Sequence, residues 1–220
     1  MTLIQPLGEA AWTVTLGDRV DRDLNARVRR LAGAIARAEV PGVTEVVPAY
    51  ASLTVFFDPV NADAEAIHHA LTNFTDAEPG GGQELPPPDA ATDAPPIVIP
   101  VRYYGPDLDE VGDRTGLARD EVVRRHCAPE YQVYLLGFSP GFAYLGDLDP
   151  ALVLPRRSAP RTRVPAGSVA IAGAQTAVYP LATPGGWHLI GRTSTVMFDP
   201  AREPPALLRP GDRVRFEPVP

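Results

Sequence analysis

Residues 79 to 96 read PGGGQELPPPDAATDAPP, and no helical or strand periodicity runs through them. Proline fixes φ and removes backbone donors, glycine multiplies backbone states, and the remaining residues, Leu85 apart, are small, polar or charged. A chain of 220 residues broken in this way is expected to fold on either side of the break, each side long enough to bury a core of its own. The stretch is read as an interdomain linker between a domain at 1–78 and a domain at 97–220.

Ahead of the linker, AAWTVTLG (10–17) has the texture of a strand. From Asp21 to Ala38, Leu24, Val28, Leu31 and Ile35 recur at helical spacing and share one face. VTEVVPAY and ASLTVFF alternate as paired strands do. Asn61 is placed as the cap of a second helix, with Asp63 and Glu65 in its first turn and Ile67, Leu71 and Phe74 facing inward. The order βαββα, with room for a final strand, suggests a small ferredoxin-like α/β layer.

Beyond the linker, IVIPVRYY (97–104) is a strand, and a helical stretch runs from about Asp107 to His126 with a break near Gly112 to Gly116. After Tyr131 come only short β-like runs, YQVYLLGF, SVAIAG, TAVYP, HLIGRT, TVMF and DRVRFEPV, separated by glycine and proline. Short strands punctuated by turn signals imply a closed or sandwiched β architecture, so the fold class is α+β.

The net charge of −7 and pI near 5.1 oppose general nucleic-acid binding and require any anion site to be local. The lone Cys127 excludes an internal disulfide framework and fits a reducing compartment. MTLIQPLGEAAW has neither a basic n-region nor an apolar core, and no apolar run approaches bilayer length, so a cytoplasmic location without membrane contact is expected. Every basic residue is arginine, which removes lysine chemistry from the chain.

Gly137-Phe138-Ser139-Pro140-Gly141 fits the G-x-S-x-G pattern of serine hydrolases. A nucleophile elbow needs the N–H of the residue after the serine as half of its oxyanion hole, together with a preceding strand and a following helix. Pro140 has no N–H, and PGFAYLGDLDP is a poor helix. The alternative is a glycine-permitted loop that lets the backbone approach a ligand, walled by Phe138, Phe142 and Tyr144. PRRSAPRTRVPAGS (155–168) clusters Arg156, Arg157, Arg161 and Arg163, which suits capture of a carboxylate or phosphate or, equally, ion pairing with surplus acid. In TPGGWHLIGRT (183–193), His188 and Arg192 share strand parity and form a candidate anion-handling pair. His126 and Cys127 are helical neighbours that do not face each other, so Cys127 is read as packing. His68 and His69 lie on a helix surface without metal-ligand spacing. A Walker loop, an H-E-x-x-H and a CxxC are absent, and no metal site is expected.

The ordered run YQVYLLGFSPGFAYLGDLD, PRRSAPRTRVPAGSVAIAGAQTAVYP, TPGGWHLIGRT and RPGDRVRF resembles the family of KipI and the 5-oxoprolinase B subunit, also labelled allophanate hydrolase subunit 1. DLNARV and PGVTEVVPAYASLTVFFDP extend the likeness into the first domain. The resemblance implies a small α/β domain followed by a cyclophilin-like β-barrel. It implies a non-autonomous part of an ATP-dependent amidohydrolase that opens 5-oxo-L-proline to L-glutamate, working with a KipA-like companion, the 5-oxoprolinase C subunit, and a third, hydrolytic component. Alternatives are inhibition of a sensor histidine kinase, and half of a biotin-dependent urea or allophanate-type carboxyltransferase whose biotin would ride on a partner, since this chain has no lysine to carry it. ATP with Mg²⁺ would occupy a site shared with the KipA-like companion. Under this reading His188, Arg192 and Arg161 are the candidate catalytic residues, because lactam opening through a phosphorylated intermediate needs positive charge at developing oxyanions. Phe138, Phe142, Tyr144, Arg156, Gln175, Tyr179 and Trp187 are the candidate substrate wall.

Overall fold

The computed structural model describes residues 2–76 and 94–220, so all but the last three positions of the expected linker lie outside the described residues. The chain separates into two compact units, Met1–Asp93 and Ala94–Pro220.

In the first unit, strands β1 (Leu3–Pro6), β2 (Ala11–Thr15), β3 (Val43–Pro48) and β4 (Ser52–Phe57) form an antiparallel sheet in the order β1-β2-β4-β3. Helices α1 (Arg22–Arg37) and α2 (Ala64–Asp76) pack on it. The predicted face of α1 is the buried one: Leu24, Val28, Leu31 and Ile35 meet Val14, Leu53 and Val55 of the sheet. Asp21 caps α1, its carboxylate accepting from the N–H of Leu24 at 2.9 Å. The cap of α2 differs from expectation. Asp63 takes that role, accepting from the N–H groups of Glu65 and Ala66 at 3.0 Å. Asn61 is instead held in a turn by Asp58, whose carboxylate accepts from the Asn61 side-chain amide at 2.8 Å. The sequence pattern also missed β1, which fills the sheet position beside β2, so the order is ββαββα.

The second unit is a nearly closed barrel. Strands β5 (Ile97–Val101), β6 (Tyr131–Leu136), β7 (Ala143–Gly146), β9 (Ser168–Ala172), β10 (Gln175–Val178), β12 (His188–Arg192) and β13 (Arg213–Pro218) line up as β12-β9-β10-β7-β6-β13-β5. All neighbours are antiparallel except β13 and β5. A bridge between Arg102 and Arg192 joins the two outer strands, with reciprocal N–H···O=C bonds of 2.8 Å. The seam requires glycine at position 191, because a Cβ there would stand 2.7 Å from Val101 Cγ1 and 2.8 Å from the Arg102 carbonyl. A short ribbon of β8 (Arg161–Val164) and β11 (Thr183–Gly185) lies outside this sheet.

Ile99, Val101, Val133, Leu145, Val169, Ile171, Ile190 and Phe216 share one core with Leu108 and Val111 of helix α3 (Leu108–Thr115) and Val122 of α4 (Arg119–Cys127). The predicted helix break is real: Gly116 ends α3 in the left-handed region at φ 70°. TVMF forms an isolated bridge, Phe198 to Ala206, rather than a strand. Among the described residues no helix is long and apolar enough to cross a membrane.

Candidate functional site

The G-x-S-x-G segment is the hairpin between β6 and β7. Phe138 sits at φ 68° while the N–H of Ser139 donates to the Gly137 carbonyl at 2.8 Å, a γ-turn in a region costly for an aromatic residue. The N–H of Phe142 then donates to the Ser139 carbonyl at 3.0 Å across Pro140-Gly141, with Gly141 at φ 76°. Proline followed by a positive-φ glycine is what a type II turn demands. The serine is therefore followed by a tight turn and a strand, with no helix and no N–H on Pro140, and the elbow geometry is absent. Ser139 Oγ is buried without a hydrogen-bond partner among the described residues.

This hairpin lays its aromatic residues on the face covered by β8 and β11. Phe142 is the hub, with ring centroids 5.3 Å from Phe138, 4.9 Å from Tyr144, 5.3 Å from Tyr179 and 5.8 Å from Trp187, all edge to face. Such pairs add about 0.5–1.5 kcal/mol each beyond burial. Five of the seven expected wall residues thus come together, but unequally: Phe142, Tyr179 and Trp187 are core, whereas Phe138 is 61% exposed. The Tyr179 hydroxyl accepts from the Trp187 backbone N–H, and burial pushes the Tyr179 phenol up from its usual range. Burial does the same to Tyr144, and the Arg156 guanidinium opposes the shift in both. Arg156 thus stands beside this face. Gln175 opens β10 opposite Ala172 and shares a strand side with Ala177 of the same cluster.

Two of the loop arginines have a partner that sequence patterning did not identify. Asp107, 2% exposed at the head of α3, accepts from Arg157 Nη1 at 2.9 Å, from Arg161 Nη2 at 2.6 Å and from the Leu189 N–H at 2.7 Å. Glu110 accepts from Arg157 at 2.7 Å, and that bond holds its carboxyl below the usual range. The His188 imidazole is fully buried; its Nε2 donates to the Pro155 carbonyl at 3.0 Å, and its Nδ1 lies 3.9 Å from Glu110. Arg161 and His188 thus staple the arginine loop to α3 and β12. Arg161 keeps one nitrogen, Nη1, buried and unpartnered among the described residues, on a side chain close enough to lower the Tyr179 phenol electrostatically.

Arg192 is elsewhere. The register of β12 on β9 shifts between Leu189 and Gly191, so the parity argument that paired His188 with Arg192 fails: His188 turns inward and Arg192 is exposed at the barrel seam. Asp107 was legible only as a helix-start signal after Gly105-Pro106, yet its side chain makes no cap bond and reaches the far loop instead.

His126 and Cys127 do not face each other but share Tyr103. The Cys127 thiol donates to the Tyr103 hydroxyl at 3.2 Å, which donates to His126 Nδ1 at 2.7 Å; His126 Nε2 donates to Thr176 Oγ1 at 2.8 Å, and Thr176 donates to the Ala170 carbonyl. Burial lowers the His126 pKa to about 3 and raises that of Cys127, so the thiol stays protonated, in keeping with a packing role.

Among known proteins, one from Bacillus subtilis (strain 168) that is named as the B subunit of 5-oxoprolinase is 40% identical over 218 residues, 97% of this chain and 91% of that protein. One of the same name from Escherichia coli O157:H7 is 44% identical over 216 residues, 96% of this chain and 94% of that one. The crystal structure of TTHA0988 superposes with a TM-score of 0.83 at 41% identity over 99% of this chain, which spans only 40% of the longer TTHA0988 chain. The family model of the carboxyltransferase domain, subdomain C and D, matches residues 2–208 and so takes in the aromatic hairpin, the arginine loop and the barrel seam alike; the chain belongs to that family.

Proposed function

We propose that this chain is the B subunit of an ATP-dependent 5-oxoprolinase, a non-autonomous part of an enzyme that opens 5-oxo-L-proline to L-glutamate. The observation that carries the reading is identity of 40% and 44% over nearly the whole chain to two proteins named as that subunit. A protein named as one subunit implies companions, here a KipA-like C subunit and a third, hydrolytic component. The cyclophilin-like description of the barrel and the ferredoxin-like description of the first unit belong to the same proposal, supported by seam closure and by the antiparallel four-stranded sheet under two helices.

The side chains suit half of such a site. The substrate is a small flat lactam bearing one carboxylate. Exposed Phe138, packed against Phe142 and Tyr179, offers a ring face, and Arg156, near Tyr144 and Tyr179, offers a cation. Ser139 Oγ, in the hairpin, and Arg161 Nη1, on a side chain near Tyr179, are buried polar atoms without a partner among the described residues. Arg192 carries an exposed cation for anionic oxygens, while Arg161, tied to Asp107, acts as a positioning residue. ATP, when bound, would supply the phosphoryl group that activates the amide oxygen. Among the described residues no group of three or more His, Cys, Asp or Glu is placed to hold a metal, so Mg²⁺ would depend on the nucleotide and the companion.

The test is glutamate release from 5-oxoproline with ATP, measured for the chain alone and for the complex reconstituted with its companions. Release is expected only from the complex, with Arg192→Ala lowering turnover about 10²-fold if it stabilises transition-state charge. Robust release by the isolated chain, or none from a verified complex, refutes the assignment.

A further inference from the structure

Arg102 and Arg192 face each other across the strand pair that closes the barrel. Because each donates its N–H to the other's carbonyl at 2.8 Å, they form a hydrogen-bonded pair, with Cα atoms about 5.5 Å apart and side chains leaving the same face of the sheet. Like charges directly opposite one another destabilise a sheet. Neither guanidinium has a hydrogen bond or ion pair among the described residues, although the chain is rich in acid and Arg124, Arg125, Arg157, Arg161 and Arg213 are all paired. The two line a cleft of about 460 Å³ with Tyr104, Thr193 and Ser194.

We propose that this seam cleft is a binding site for a dianionic phosphoryl group. Two adjacent guanidinium ions carry two positive charges, which one carboxylate leaves half neutralised and one phosphoryl dianion balances. A tetrahedral phosphoryl group also presents three acceptor oxygens, enough for both arginine forks and for the exposed hydroxyls of Ser194 and Tyr104. The reciprocal backbone bonds fix the two backbone positions before any ligand arrives, so on binding only the side chains have to order. The phosphoryl group belongs either to inorganic phosphate or to the end of a nucleotide. Binding of this kind is a property of the chain alone and stands independently of the reaction proposed above.

The experiment is calorimetric titration of the full chain, at constant ionic strength and a pH of about 8, where phosphate is a dianion, with inorganic phosphate, ADP and, as a monoanion control, acetate. Phosphate or ADP is expected to bind at least tenfold more tightly than acetate. Arg102→Gln and Arg192→Gln should each weaken that binding at least tenfold. Neither variant touches the backbone bonds of the seam, and each removes a like-charge contact, so their thermal midpoints without anion should be no lower than that of the parent chain. Lysine at either position, which keeps the charge but loses the fork, should retain part of the affinity. ADP binding tenfold tighter than phosphate marks a nucleotide site, and equal affinities mark a free-phosphate site. Binding of phosphate and ADP no tighter than acetate, or unchanged in both glutamine variants, overturns the proposal.

Discussion

Replacing Asp107 by alanine should unfold the barrel at markedly lower denaturant concentration. The carboxylate side chain is 3% exposed and accepts from two arginines and one backbone N–H. Removing one partner of a buried ion pair costs about 3–5 kcal/mol, and an orphaned buried N–H, here that of Leu189, adds about 1–3 kcal/mol. Two features bring the total toward the lower end. Arg157 keeps Glu110 as a second acceptor at 2.7 Å, and both arginine side chains are about a quarter exposed, at 26% and 25%. The expected loss for Asp107→Ala is therefore about 4–5 kcal/mol, with Asp107→Asn losing less because its amide oxygen still accepts one bond. The two tryptophans make the assay selective, since Trp187 lies in the barrel and Trp12 in the first unit. Urea unfolding followed by Trp187 fluorescence in a Trp12→Phe background reads the barrel alone. A loss below about 1 kcal/mol, the scale of a surface ion pair, would refute the view that Asp107 anchors the arginine loop.

The buried His126 should make stability pH-dependent. Its folded pKa of about 3 lies below the ordinary 6.5, so the unfolded chain binds the extra proton. Stability is then full above 6.5 and falls as pH drops toward 3, by about 1 kcal/mol per unit between pH 6 and 5; an unchanged slope in His126→Gln would sink this. Gly191→Ala should strain the seam by about 1–3 kcal/mol through overpacking, and hydrogen exchange at the Arg102 and Arg192 amides should accelerate; unaltered protection would show that the close approach there is slack. Ser139→Ala should leave most activity of the reconstituted complex, and a fluorophosphonate should not label the chain. A loss on the order of 10⁴-fold or more, or covalent labelling, would restore the hydrolase reading.

The face of α1 was legible because helix periodicity is local: Leu24, Val28, Leu31 and Ile35 lie within four turns of one another, and all are buried. The glycine break between α3 and α4 was legible for the same reason. Strands β1, β7, β8 and β11 escaped because each has only three or four residues, too few for alternation to register, and each is stabilised by a partner strand rather than by its own pattern. At the site, the five aromatics of the wall were readable as residue types, and Pro140 alone removed the nucleophile elbow. The fates of the arginines were not. Arg157 and Arg161 are fixed by Asp107, 50 and 54 positions away, and Arg192 is paired by the seam with Arg102. A guanidinium looks the same in sequence whether it closes an internal ion pair or waits for a ligand. Charge pairing depends on distance in space, and in a barrel that distance is fixed by strand order, register and the one-residue shift in β12 that turns His188 inward and leaves Arg192 outside.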